Sequence, residues 1–267
     1  MKHKDDKNFD DLAEKFARKI YSDRKGELRL NVLWQDLLDA VPALESESSL
    51  SILDAGGGIG QVSARLAALG HRITLSDISA NMLDLAREHF KTRMELISGE
   101  QAPGAVEFVH GSVQDLSADM IQQADVVLFH AVLEWLAKPK DTLQELLEKI
   151  RPGATISLMF YNQHSVVFRN VIKGNFRKVK TGDFSGYKNS LTPLNPLIPD
   201  QVYQWVREMG FEIESKTGIR VVNDYLSREL QQARSTEDIQ EMEWLLCRTE
   251  PFLSLARYIH ITAVKKV

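Results

Sequence analysis

Between residues 51 and 160, short apolar runs alternate with amphipathic helical stretches, a rhythm that few architectures accommodate. Ser51–Ala55, Arg72–Ser76, Val106–His110, Asp125–Phe129 and Thr155–Phe160 read as strands. Gln61–Leu69, Ala80–Phe90 and Thr142–Ile150 read as the helices between them. Strands joined through helices require right-handed crossovers, which cover both faces of a largely parallel sheet. The pattern therefore predicts an α/β fold. Beyond it, the spacing predicts a helix over Asp200–Met209, a strand over Phe211–Thr217, a helix over Asp224–Cys247 and a last strand over Arg257–Val264. Ahead of it, Phe9, Leu12, Ala13, Phe16, Ala17 and Ile20 recur at helical spacing. Leu30, Leu33, Leu37 and Val41 do so again after Gly26, predicting a helical cover over residues 1–48 of one domain spanning 1–267.

Residues 161–199 break the rhythm, with Gly174, Gly182, Gly186, Pro193, Pro196 and Pro199 as punctuation. Within it, His164–Thr192 holds Arg169, Lys173, Arg177, Lys178, Lys180 and Lys188 against the single acid Asp183. That insertion carries +5 while the rest of the chain carries −9. Phe160, Tyr161, Phe168, Phe176 and Tyr187 interleave with these charges, either as base-stacking platforms or as packing onto the sheet. The charge itself suits either an RNA backbone or the solvated face of a lid.

Other features exclude whole classes. A pI of 6.0 lacks the global basicity of a general nucleic-acid binder. The lone Cys247 allows no intrachain disulfide and no cysteine-built zinc site, so a metal is not expected. The charged start MKHKDDKNFDD has no apolar core of a secretory signal, and the run Ala124–Leu136 is too short to span a bilayer. These readings predict a cytoplasmic protein.

The chemistry is concentrated in Leu53-Asp54-Ala55-Gly56-Gly57-Gly58-Ile59-Gly60, at the first strand–helix junction. Glycines are needed where the chain takes unusual dihedrals and where a ligand approaches the backbone closely. A dinucleotide loop, G-x-G-x-x-G, would place a third glycine at position 61, which is Gln61; no Gly-Lys-Ser/Thr follows, so a P-loop is excluded as well. Asp77, after the second strand, suits either two ribose hydroxyls or a helix N-cap. His130, at the end of the fourth strand, lies either at the lip of a ligand cleft or in the core.

The glycine loop resembles motif I of class I S-adenosylmethionine-dependent methyltransferases, and Arg151-Pro-Gly-Ala154 is similar to that family's turn before strand five. The likeness extends along nearly the whole chain. Asn8–Phe16, Gly26–Arg29, Phe129–Trp135, Ser157–Asn162, Gly174–Phe176, Lys216–Val221, Asp224–Leu226 and Arg257–His260 resemble the bacterial tRNA carboxymethoxyuridine methyltransferases. The resemblance implies a Rossmann-like, mostly parallel seven-stranded sheet with helices on both faces. It implies S-adenosyl-L-methionine as cofactor, with Arg29 pairing the methionine carboxylate and Gly56, Gly57, Asp77, Val113, Gln114 and His130 completing the pocket. It also implies tRNA as partner, its anticodon region meeting the insertion near Arg169–Lys188, and esterification of wobble carboxymethoxyuridine as the reaction.

A carboxylate with a reference pKa of about 4 is ionised at neutral pH, so such a transfer demands positioning rather than a general base. No individual catalytic residue is expected. Arg220 and the insertion are candidates for holding the acceptor, Arg220 being equally suited to a structural role. Three rivals remain at this stage: a methyltransferase acting on a small-molecule acid, carboxymethyl transfer to hydroxyuridine, and a catalytically silent binding module.

Overall fold

The computed structural model describes residues 5–13, 23–95, 103–184, 192–193 and 195–267. Its strands are β1 (Ser51–Ala55), β2 (Arg72–Asp77), β3 (Val106–His110), β4 (Val126–His130), β5 (Thr155–Tyr161), β6 (Phe211–Ile219) and β7 (Tyr258–Lys265). They form one seven-stranded sheet in the order β3-β2-β1-β4-β5-β7-β6. The first five pair in parallel, and β7 runs antiparallel between β5 and β6. The Rossmann-like α/β fold expected from the sequence is the fold observed.

Helices flank both faces: α1 (Arg24–Ala40), α2 (Gln61–Ala68), α3 (Ala80–Glu95), α4 (Ala118–Gln122), α5 (Pro139–Lys149), α6 (Gln163–Ile172), α7 (Phe176–Thr181), α8 (Pro199–Glu208), α9 (Arg228–Ala233), α10 (Thr236–Leu246) and α11 (Phe252–Leu255). One core layer joins Leu143, Leu146 and Leu147 of α5 and Val202 and Val206 of α8 to Val127, Phe129 and Leu158 of the sheet. The other joins Leu33 and Leu37 of α1, Leu66 of α2 and Leu83 of α3 to Ile52, Leu75 and Leu128. Burial on both sides explains why β4 reads Val-Val-Leu-Phe without alternation. No helix among the described residues is long and apolar enough to cross a membrane.

Several boundaries differ from the sequence reading, each for a local reason. α1 begins before Gly26 because the Asp23 side chain accepts the Gly26 N–H at 2.9 Å. β4 starts one residue later than expected because the Asp125 carboxylate binds the Ser51 N–H at 2.8 Å and the Arg151 guanidinium. The helix expected over Asp224–Cys247 is instead two helices, α9 and α10, each started by its own serine cap. Ser227 Oγ accepts from Leu230 N at 3.3 Å and Ser235 Oγ from Asp238 N at 3.0 Å. The expected helical positions Phe16, Ala17 and Ile20, together with Gly186, Tyr187 and Lys188 of the insertion, lie outside the described residues.

The excursion after β5 returns to where it left. Leu197 N–H bonds Tyr161 C=O at 2.9 Å, and Gln163 N–H bonds Leu197 C=O at 2.8 Å. Phe160 and Tyr161 belong to β5 and are buried, so of the aromatics expected as stacking platforms these two pack the sheet. Cys247 is likewise buried, its thiol donating to Trp244 C=O at 3.3 Å, and burial pushes its pKa up, as suits a packing thiol.

The turn after β6 is held by one buried carboxylate. Glu243 of α10 accepts from the backbone N–H groups of Val221 (2.6 Å), Val222 (3.2 Å) and Asn223 (2.9 Å). An amide in its place offers one acceptor oxygen and turns a donor toward N–H groups. Glu243→Gln is expected to lower unfolding free energy by about 1–3 kcal/mol in urea denaturation; an unchanged midpoint would show that the turn holds without it.

Candidate active site

The order of strands reverses at β1, which has β2 on one side and β4 on the other. In open α/β sheets the crevice beyond the strand C-termini at this point is where ligands bind. Here a cleft of about 1110 Å³, open mouth included, occupies it. Arg29, Gly56, Gly57, Asp77, Val113, Gln114 and His130, the seven positions singled out from the sequence, all line this cleft.

The floor is the glycine loop. Gly56 (φ +74°), Gly58 (φ +58°) and Gly60 (φ +69°) take left-handed backbone that other residues adopt only with strain. Gly57 is required for space instead: a Cβ there would lie 2.6 Å from the Asp54 carboxyl. The loop is tied down by Ser76 C=O, which accepts both Gly56 N–H (2.9 Å) and Gly57 N–H (3.0 Å).

Two carboxyl groups stand beneath and beside the loop. Asp77 at the end of β2 accepts Gly58 N–H at 2.9 Å and Ser79 N–H at 2.8 Å, one on each oxygen. Burial raises its pKa, and those two bonds pull part of the way back. The cap-like bond to Ser79 and a place at the cleft coexist, since a carboxylate can accept about four bonds. Asp54, 4% exposed, is pushed up to about 7 by burial, against the hydrogen bond from Ser63 and with the charge of Asp77 adding to the rise.

His130, the last residue of β4, lies where the chain turns sharply: Ala131 has φ +57° and donates to Met159 C=O at 2.7 Å. The imidazole is held well below its ordinary pKa chiefly by burial, so it is neutral at pH 7. Arg29, on the buried face of α1, brings a cation to the same end. Glu134, almost fully buried behind it, is pushed up to about 7 by burial despite backbone hydrogen bonds and the attraction of Arg29.

The other walls come from loops. Val113 is buried beside Gln114, whose side-chain amide is committed to Asp6 Oδ2 (2.9 Å) and Thr142 Oγ1 (3.1 Å). That leaves Gln114 Oε1, which is buried with no partner among the described residues, and the backbone as what Gln114 has to offer. A strap from the N-terminal segment crosses the mouth. Lys7 N–H bonds Trp135 C=O at 3.0 Å, Asp6 accepts Ala137 N–H at 2.8 Å, and the Phe9 ring meets Trp135 edge-on at 4.8 Å. Asp6 and Lys7 escaped the sequence reading, which reached this segment only through the helical spacing of Phe9 and the resemblance of Asn8–Phe16.

Arg220 lies elsewhere. It has φ +63°, is half-buried, and pairs with Asp224, with Arg169 on the same carboxylate at 3.4 Å. Burial works to raise the Asp224 pKa, but Arg220, Arg257 and Arg169 together hold it down. A second cavity adjoins this cluster, lined by Arg169, Lys173, Lys178 and Arg257 with Tyr161 and Asn170. The charge of Arg169, burial and the charge of Arg257 lower the pKa of Lys173, the mark of a site with surplus positive charge. Arg257 stacks over the Tyr161 ring at 4.5 Å. The sequence had marked Arg257 only as the start of a strand and of the resembling stretch Arg257–His260, not as part of a charged cluster, since its partners there are 33 or more positions away.

A family model described as a methyltransferase domain matches residues 53–158. The chain is 44% identical over 263 residues to the tRNA 5-carboxymethoxyuridine methyltransferase of Escherichia coli (strain K12), covering 97% of each protein. It is 25% identical over 184 residues to a ubiquinone biosynthesis O-methyltransferase of Xanthomonas axonopodis pv. citri, covering 68% of this chain and 71% of that protein. Among solved structures it is similar to the magnesium protoporphyrin IX methyltransferase of Synechocystis PCC 6803 with SAH bound. That likeness has a TM-score of 0.64 at 14% identity, covering 97% and 96% of the two chains, and bears on the fold alone.

The raised pKa of Asp54 has a consequence for stability. Between its unfolded pKa of about 3.9 and about 7, the folded protein keeps a proton that the unfolded chain loses. Stability therefore falls as pH rises through this window. Asp54→Asn is expected to flatten that fall by a few kcal/mol in ligand-free urea unfolding at pH 5 and pH 7.5, Glu134 supplying what remains. Parallel curves for variant and wild type would refute the assignment.

Proposed function

The chain belongs to the family of tRNA 5-carboxymethoxyuridine methyltransferases, and on that premise we propose how its cleft and basic insertion divide the work of methylating the wobble nucleoside of tRNA. The reaction is S-adenosylmethionine-dependent. S-adenosylmethionine supplies, when bound, a methyl group on a sulfonium, open to displacement by an oxygen nucleophile.

The cleft suits that cofactor by its donors and its shape. Asp77, at the end of β2 and in the cleft lining, is our candidate for the ribose hydroxyls. Arg29, in the cleft lining, is our candidate for the methionine carboxylate, and backbone at Val113 and Gln114 for the adenine edge, between apolar walls that include Ile78, Met82 and Leu136. Gly56 and Gly57 keep the floor free of side chains, and a Cβ at Gly111 would meet nothing nearer than 3.9 Å, leaving room for a ring. Asp54 and Asp77 give the floor the acidic character that a cationic ligand requires.

The acceptor is the carboxylate of 5-carboxymethoxyuridine. It is ionised at neutral pH, so the protein need only desolvate, hold and aim it, and a methyl ester results. The cationic cavity of Arg169, Lys173, Lys178 and Arg257 supports a seat for anionic RNA on the insertion side. With Arg220 spent on Asp224, its part is to brace this cluster. α7 adds Arg177 and Lys180 next to Phe176, which is 57% exposed, a combination suited to phosphates and an unstacked base.

The observation that carries the reading is the meeting of all seven cleft residues in a chain 44% identical to that methyltransferase. Its decisive test is nucleoside mass spectrometry on tRNA already bearing carboxymethoxyuridine, incubated with protein and S-adenosylmethionine. The methyl ester should appear. Its absence, with the cofactor still bound in calorimetry, would favour a small-acid substrate. For the insertion, combined Arg177→Gln, Lys178→Gln and Lys180→Gln should weaken tRNA binding and cut the slope of log K against log salt by about 2. Cofactor affinity should be unchanged; equal loss of both would mark the insertion as a folding element.

A further inference from the structure

Behind His130, on the α1 side of the sheet, a row of polar side chains runs among the buried Leu128, Met159, Tyr161 and Ile219. The register places His130 of β4, Ser157 of β5, His260 of β7 and Thr217 of β6 on this one face. They are joined end to end. His130 Nε2 lies 2.7 Å from Ser157 Oγ, and Ser157 Oγ lies 2.7 Å from His260 Nε2. His260 Nδ1 lies 2.5 Å from Asp36 Oδ2. Asp36 comes from α1, seven residues and thus about two turns from Arg29 on the same buried face. Its other oxygen accepts from Thr217 Oγ1 at 2.5 Å and from Arg248 Nη2 at 2.7 Å. Ser157, His260 and Thr217 are wholly buried. A continuous hydrogen-bonded chain therefore runs from the cofactor cleft to Arg248, whose side chain is half-exposed.

Hydrogen-bond direction along such a chain is not free. With a single proton on its ring, His260 donates Nδ1–H to Asp36, and its Nε2 lone pair accepts the Ser157 hydroxyl proton. The Ser157 oxygen must then accept from His130 Nε2–H. In the alternative, a proton on His260 Nε2 turns the hydroxyl around and moves the His130 proton to Nδ1. The state of His260 thus decides whether His130 offers the cleft an acceptor or a donor. His130 Nδ1 has no hydrogen bond among the described residues, so it is the nitrogen left for a ligand.

We propose that Asp36, His260 and Ser157 are positioning residues that hold His130 as its Nε2–H tautomer, so that Nδ1 accepts a hydrogen bond from the α-ammonium group of the cofactor. The proposal rests on the reading above that His130 belongs to the cofactor seat. It accounts for a cluster of buried polar groups, each of which would be costly unpaired, in a layer that leucine or valine could fill. It also pairs Arg29, for the carboxylate of the methionine end, with an acceptor for its ammonium group.

Nitrogen-15 spectra of the histidine rings test it without turnover. In the wild-type protein His130 should show one tautomer, protonated at Nε2; protonation at Nδ1 would overturn the proposal. Ser157→Ala should leave the His130 ring a mixture of tautomers. It should also weaken S-adenosylhomocysteine, which keeps the ammonium group, by roughly tenfold in calorimetry. Should that variant not fold, the wild-type tautomer still decides. A Ser157→Ala protein with an unaltered tautomer would overturn the chain, provided His130→Ala itself loses affinity. Undiminished affinity in His130→Ala would instead overturn the placing of His130 in the cofactor seat, and the proposal with it.

Discussion

Much of the cleft hangs on one carbonyl. Ser76 C=O accepts the N–H groups of both Gly56 and Gly57, binding the end of β1 to the end of β2 just where the two strands stop pairing. That double bond forces the chain out of β1 in a tight left-handed path, which only glycine takes without strain. It also sets the loop beside Asp77, whose carboxylate then receives Gly58 N–H. The sheet supplies the third point, because β4 lies on the other side of β1 and ends on His130. Loop, acid and imidazole meet because three parallel strands end at one level.

The electrostatics of the molecule divide in two. The cleft is floored by the buried Asp54 and the half-buried Asp77, carboxyls whose desolvation favours a ligand that brings positive charge. Across the end of β5, Arg169, Lys173, Arg220 and Arg257 crowd about one buried acid, Asp224, and leave an excess of positive charge toward the insertion. Tyr161 joins the two regions: its strand runs along the cleft at Met159 and ends under Arg257. An acidic cleft and a basic cavity thus lie on either side of one strand, with fields of opposite sign. The net charge of −4 gives no hint of this separation.

Buried polar groups elsewhere serve to join distant parts of the chain. Glu243 holds the backbone of residues 221–223, and Asp36 gathers Thr217 of β6, His260 of β7 and Arg248 of the turn after α10. Each is fully hydrogen-bonded on the side that matters, which is what lets a carboxylate remain in a core. For Asp36, burial alone would raise the pKa, yet the bonds from His260, Thr217 and Arg248 bring it to about 2.

The strands, the crossover helices and the glycine loop were legible in the sequence because they obey local rules: periods of two and 3.6, apolar runs for strands buried on both faces, glycine where φ is positive. Asp77 and His130 could be placed at the cleft because each follows directly on a strand, and strand ends converge in this class of sheet. Arg29, Val113 and Gln114 were reached through resemblance rather than pattern. The split of Asp224–Cys247 into two helices was missed because serine caps interrupt a continuous helical spacing. What only the tertiary structure decided is which distant residues meet: Asp36 with His260, 224 positions apart, Ser157 with His260, 103 apart, and Arg169 with Asp224. Periodicity says which face a side chain occupies, but not its partner on that face. That choice depends on strand order and register, which arise only when the whole sheet is assembled.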